Sequence, residues 1–257
     1  MSAIEIKNFS KKYNDKKRGN KTVIDDMNLT IPRGQFFGLL GANGAGKTST
    51  INAITGVVSI TSGHIKVMGH DVVSDYRLAR TKIGVSPQEF TVDGFQTIDQ
   101  ILDYSAGFFG VVGEDMKKRR EEMLKQFELV EHRDKKFQFL SGGLKRRATL
   151  AKAMMHDPEV LILDEPTAGV DVETRRTLWK FLKDLHDGGK TIILTSHYLE
   201  EVEALCERVA IINGGKIILD GDMKTLTKDH KLEDVYIRAT EEDNQKISEA
   251  KSNNTNK

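Results

Sequence analysis

The chain has 257 residues, 30% of them charged, and its 39 basic and 38 acidic side chains leave a formal charge of +1 at pH 7. That length gives one large domain or two modest ones with ample core material, and the near-cancelling charge argues against a nucleic-acid or anionic-membrane binder. One cysteine, Cys206, excludes an intramolecular disulfide and fits a reducing compartment; no apolar run approaches the ~18 residues of a membrane span, and no leader is recognisable. The expectation is a soluble, cytoplasmic protein, any membrane crossing being left to another chain.

In chain order, the start reads as β-rich. Ile4 and Ile6 alternate with polar residues, as do Met27, Leu29 and Ile31 before a Pro32-Arg33-Gly34 turn. Lys16-Lys17-Arg18-Gly19-Asn20 between them reads as a solvated, basic hairpin tip. Phe36 to Leu40 is a short apolar strand that runs into Gly41-Ala42-Asn43-Gly44-Ala45-Gly46-Lys47-Thr48. That stretch fits G-x-x-x-x-G-K-[ST], a loop whose successive N–H groups turn inward around a nucleotide's phosphates. Lys47 reaches the β- and γ-phosphates and the Thr48 hydroxyl is a Mg²⁺ ligand in this pattern. Thr48, Ser49 and the residues to Thr55 read as the helix leaving the loop, its positive end facing the phosphate.

Ile83 and Val85 mark another short strand before Ser86-Pro87-Gln88. From about residue 89 the pattern becomes helical. Thr97 and Gln100 form a capping box ahead of Ile98, Ile101, Leu102 and Ser105 on one face, and Met116, Met123, Leu124 and Phe127 make a second amphipathic stretch around the basic run Lys117–Arg120. Leu140-Ser141-Gly142-Gly143 opens a further helix, a second anion-binding N-terminus in the same chain. The α/β rhythm then returns: Val160 to Leu163 is a strand covered on both faces, with Asp164 and Glu165 at its carboxyl end. Leu178, Phe181, Leu182 and Leu185 form a helix that stops at Gly188-Gly189, and Thr191 to Thr195 form the next buried strand, followed by His197. Asn213-Gly214-Gly215 is a tight hairpin between Val209–Ile212 and Lys216–Leu219. From about residue 241 the chain turns polar and lacks aromatics, so the tail 241–257 is expected to be disordered.

The phosphate loop, Gln88, Ser141-Gly-Gly, Asp164-Glu165 and His197, in that order, resemble the nucleotide-binding subunits of ABC (ATP-binding cassette) transporters over about residues 3 to 220. Ser141 to Arg147 and Asp164 to Asp171 look most like the exporter branch handling drugs, lipids or polysaccharides, and Leu232 to Arg238 resembles that branch's ending. The resemblance implies an α/β P-loop core with an N-terminal antiparallel β subdomain and a helical subdomain inserted at about 89–156, all one domain over 1–240. It implies an ATPase taking ATP and Mg²⁺, with Asp164 holding the metal through water, Glu165 as general base, Gln88 sensing metal and water, and His197 on the γ-phosphate. Tyr13 resembles the aromatic that stacks on adenine. Ser141, Gly142 and Gly143 then serve the ATP of a neighbouring cassette in a head-to-tail dimer, with Asp171 at the seam. The partners implied are a second, identical or similar cassette and integral membrane permease subunits on the cytoplasmic face of the cell membrane, with no nucleic acid. One departure is Leu144, where the family has glutamine. A chromosome-type cassette would need a long coiled coil, and only 94 positions separate Lys47 from Ser141. Ribosome-associated members carry two cassettes per chain, and a nucleotide kinase would leave Ser141 and His197 without a role.

Overall fold

The computed structural model describes residues 1–15 and 19–255. Lys16, Lys17 and Arg18 of the expected basic tip lie outside them. The chain opens with β1 (Ser2–Asp15) and β2 (Gly19–Pro32), an antiparallel pair. Then come β3 (Phe36–Leu40), α1 (Lys47–Ile54), β4 (Ser62–Val67), β5 (His70–Asp71), α2 (Tyr76–Thr81) and β6 (Ile83–Ser86). The helical stretch is α3 (Ile98–Phe108), α4 (Gly113–Gln126) and α5 (Gly142–Met154), with 3-10 turns at Val130–His132 and Phe137–Phe139. After it follow β7 (Val160–Asp164), α6 (Val172–Asp187), β8 (Thr191–Ser196), α7 (Leu199–Leu205), β9 (Arg208–Asn213), β10 (Lys216–Asp222), α8 (Met223–Leu226) and α9 (Leu232–Thr255).

Two sheets organise these elements. One is four-stranded in the order β2-β1-β4-β5, the other six-stranded in the order β10-β9-β3-β8-β7-β6. In the larger sheet β9, β3, β8, β7 and β6 run parallel and only β10 is antiparallel. Its central strands are apolar throughout because side chains of alternate residues enter different cores. Phe36, Leu161, Leu163, Ile192, Leu194, Val209 and Ile211 pack with the helices α3 to α7. Phe37, Leu39, Val160, Ile162, Ile193, Ala210 and Ile212 pack with α1 and the smaller sheet. The phosphate loop thus leaves a strand clamped on both faces, at the carboxyl edge of the sheet, where ligands of open α/β sheets bind.

The helical signals appear where the pattern puts them. Thr97 caps α3 through a reciprocal bond with Gln100, and Ile98, Ile101, Leu102 and Ser105 are buried. The basic run is tied down within the chain: Arg119 donates to Met154 O (2.9 Å) and Asp157 (3.2 Å), and Arg120 pairs with Asp103.

Over the tail, read from its sequence as disordered, residues Glu241 to Thr255 continue α9. No glycine or proline interrupts Leu232–Thr255, and Glu233 and Asp234 sit against the positive end of the helix dipole. Asn213 Nδ2 then fastens the helix to the β9 end by donating to Asp243 Oδ2 at 2.7 Å.

Candidate active site

The loop after β3 is shaped by close approach. A Cβ on Gly41 would lie 2.5 Å from Ile212 O, so only glycine lets the loop pass this near β9. The Ala45 N–H bonds Ala42 O (3.1 Å) and the Gly215 N–H bonds Ala45 O (2.9 Å), pinning the loop to the β9–β10 hairpin. Lys47, at the first position of α1, is buried and donates to Gly41 O at 2.8 Å and Ala42 O at 3.3 Å. Burial pushes its ammonium pKa down, against the pull of Glu165 and Asp164.

The acidic pair comes from the end of β7. Asp164 is buried; its Oδ1 accepts from Thr195 Oγ1, and its Oδ2 lies 3.5 Å from Thr48 Oγ1. Glu165 takes a left-handed backbone conformation, φ 48°, which is uncommon outside glycine and clusters at functional sites. Its N–H is held by Thr195 O at 3.0 Å, and the turn swings the carboxylate out of the strand direction. Glu165 Oε1 then lies 3.0 Å from His197 Nδ1 and 3.8 Å from Lys47 Nζ. A cleft of about 590 Å³ gathers Asn43, Gly44, Gly46, Lys47, Thr48, Ser49, Gln88, Glu165 and His197. Gln88 reaches it from the loop after β6, whose Pro87 and Gln88 carbonyls accept from Arg146 at 2.8 and 3.2 Å.

Other expected site residues lie apart from this cleft. Ser141 caps α5, its Oγ accepting the Leu144 N–H at 3.4 Å, and Ser141 and Gly142 are exposed. A Cβ on Gly143 would meet Thr174 Cγ2 at 2.7 Å, so this helix start abuts the start of α6. There Asp171 caps α6, and bonds from the Thr174 N–H and hydroxyl hold its carboxyl below the usual range. Leu144 turns its side chain into the helical core. Tyr13 stands on β1, 39% exposed, with Lys11 Nζ 4.7 Å from its ring centre.

Comparison with known proteins agrees with this geometry. The ABC transporter family model matches residues 24–168, more than half the chain. The chain belongs to the ABC transporter family. It is an ATP-binding, ATP-hydrolysing cassette of α/β fold. It is 39% identical over 218 residues to the linearmycin resistance ATP-binding protein LnrL of Bacillus subtilis, covering 85% of this chain and 68% of that protein. It is also 39% identical over 220 residues to the Nod factor export ATP-binding protein I of Paraburkholderia xenovorans, covering 86% and 71%. Among solved structures, an ATP-binding subunit of an ABC transporter shares the fold with a TM-score of 0.82 at 23% identity, covering 93% of this chain and all of that one. A dimeric, post-hydrolysis structure of the cassette MJ0796 bound to ADP and Pi matches with a TM-score of 0.77 at 25% identity, covering 86% and 98%.

The cassette's cleft also contains residues that the motifs did not point to: Lys21, Val23, Ala168 and Tyr198. Tyr198 adjoins His197 and packs on its ring, centroids 4.0 Å apart, so adjacency was its one signal. Lys21 and Val23 arrive from β2 by tertiary packing and carry no local signature. A second groove, about 520 Å³ beside α6, gathers none of the expected residues; Arg147 and Glu128 on its wall pair with each other. No helix among the described residues is long and apolar enough to cross a membrane.

Proposed function

We propose that two copies of this cassette, or one with a similar cassette, close head to tail on two Mg·ATP and drive export through separate membrane-spanning subunits at the cytoplasmic face of the cell membrane. One observation carries the reading. Lys47, Thr48, Gln88, Glu165 and His197 share one cleft, whereas the Ser141-capped start of α5 is not part of its lining and abuts α6 at Thr174. A helix start contributes only about 0.3–1 kcal/mol toward an anion, so Ser141-Gly142-Gly143 acts by closing another copy's site. The dimeric form of the similar cassette MJ0796 supports this, and the export names of the similar proteins support the direction.

The donors fit magnesium. Thr48 Oγ1 and the Gln88 amide oxygen are hard oxygen donors that would hold the ion, and Asp164 Oδ2, 3.5 Å from Thr48 Oγ1, would hold it through water. When bound, the ion neutralises charge on the β- and γ-phosphates. Lys47 adds positive charge on the loop side, and Tyr13 stacks on the adenine. Glu165 polarises the attacking water, one carboxylate oxygen steadied by His197 Nδ1 and the other free to take the proton. His197, whose Nδ1 lies 3.0 Å from Glu165 Oε1, also hydrogen-bonds the γ-phosphate. Catalysis is then mostly positioning and charge neutralisation.

The test uses the full-length chain with MgATP. Glu165→Gln should lose at least about a hundredfold in turnover, and should elute as a dimer by light scattering. Adding Ser141→Arg should return it to a monomer. Full turnover in Glu165→Gln refutes the general-base role; a dimer indifferent to Ser141→Arg refutes the composite site.

A further inference from the structure

Glu201, on α7, is 1% exposed. It accepts from three neutral donors on separate segments: Thr167 Oγ1 at 2.8 Å, Trp179 Nε1 at 3.3 Å and Ser196 Oγ at 2.8 Å. Burying a carboxylate this deeply is costly unless its oxygens are satisfied. Burial raises the Glu201 pKa, and the bonds from Ser196, Thr167 and Trp179 oppose that rise.

The donors are not scattered. Thr167 lies two residues past Glu165, on the turn that gives Glu165 its left-handed backbone. Ser196 immediately precedes His197, and its Oγ also accepts the Tyr198 N–H at 3.0 Å, so one hydroxyl spans the histidine. Trp179 belongs to α6, the helix that Asp171 caps. We propose that Glu201 is a positioning residue: through Thr167 and Ser196 it sets the relative placement of Glu165 and His197, and through Trp179 it ties that pair to the helix of the dimer seam. It is 1% exposed and does not line the cleft. The 3.0 Å separation of Glu165 Oε1 from His197 Nδ1 is the distance it maintains. This rests on the catalytic reading of Glu165 and His197 given above.

A general stabilising role would lower stability without separating kcat from KM. A positioning role is specific to turnover, since small misplacements of reacting groups are costly there. Glu201→Gln preserves size and leaves one oxygen for Thr167 and Trp179. It puts a donor against Ser196, whose hydroxyl hydrogen is left with only the longer contact to Tyr198 O at 3.5 Å. Ser196→Ala severs the same link from the other side. In the full-length chain each variant should lose roughly ten- to a hundredfold in kcat while KM for MgATP stays within about twofold. The double variant should be no worse than either single one, because both break one link. Emission from Trp179, the only tryptophan of the chain, should be native in Ser196→Ala, showing that the surroundings remain packed. Native kcat in either folded variant overturns the proposal, as do additive losses or a rise in KM alone. Glu165→Gln is the control. If it abolishes turnover while Ser196→Ala leaves it intact, only the positioning role fails; if Glu165→Gln turns over normally, the catalytic reading fails first.

Discussion

Single residues of the phosphate loop act through what they exclude. Gly41 is enclosed by Ile212 O and Ile212 Cγ2, 2.5 and 2.8 Å from where a methyl would sit. Ile212 belongs to β9 and pairs with Ile217 of β10, so it cannot recede without disturbing the hairpin. Gly142, at the start of α5, would place a methyl in open space. The two positions therefore separate packing from chemistry. Gly41→Ala should lower unfolding stability by about 1–3 kcal/mol, the range for overpacking, read by urea denaturation. Gly142→Ala should stay within about 0.5 kcal/mol of the parent. An unaltered midpoint for Gly41→Ala would mean that the hairpin yields more easily than its hydrogen bonds imply.

Between elements, charge pairs do the joining. Asp157 follows α5 in a left-handed conformation, φ 52°, and accepts from Lys190 Nζ at 2.7 Å and Arg119 Nη2 at 3.2 Å. Lys190 chiefly, then Arg119, hold its pKa below the ordinary 3.8. A carboxyl depressed on folding stabilises above its unfolded pKa, and that stabilisation disappears as pH falls through the folded value. Asp157→Asn, which tolerates the same backbone, should cost under about 1 kcal/mol at pH 7 because the side chain is largely exposed. The difference should fade as pH falls below the ordinary 3.8 and through the folded value, read from denaturation midpoints across pH; a difference that persists at the acid end would assign the effect to packing. Such pairings mark the border of what was legible in the sequence. The capped helix at Thr97, the apolar strands β3, β7 and β8, and the cleft residues Asn43 to Ser49, Glu165 and His197 carry their pattern within a few neighbours. Glu201 carries no local pattern, because its partners Thr167 and Trp179 lie 34 and 22 positions away. Arg146 was hidden for the same reason, its bonds to the Gln88 loop spanning nearly sixty positions. The contact of α9 with the β9 end, Asn213 to Asp243, spans thirty positions and was equally out of reach of local polarity.

For the whole molecule, the proposed function requires ATP turnover to reach separate membrane-spanning subunits. The route available runs from Gln88, whose loop carbonyls are gripped by Arg146 of α5, into the helical stretch. On α3 the side chains of Ile98, Ile101, Leu102 and Ser105 face the core. Tyr104 and Phe108, one turn apart, are 73% and 78% exposed on another side of the same helix. Single exposed aromatics are ordinary, but two at i and i+4 share a face and bury together or not at all. Full burial of such a side chain is worth about 1.5–3 kcal/mol, so losing both should weaken attachment by a hundredfold or more, roughly, if they enter an interface. The cleft lies elsewhere and should not register the change. Tyr104→Ser with Phe108→Ser should therefore leave ATPase activity of the isolated chain near that of the parent while abolishing co-purification with the membrane subunits. Equal recovery of those subunits with the doubly substituted chain would place the permease contact on a different face.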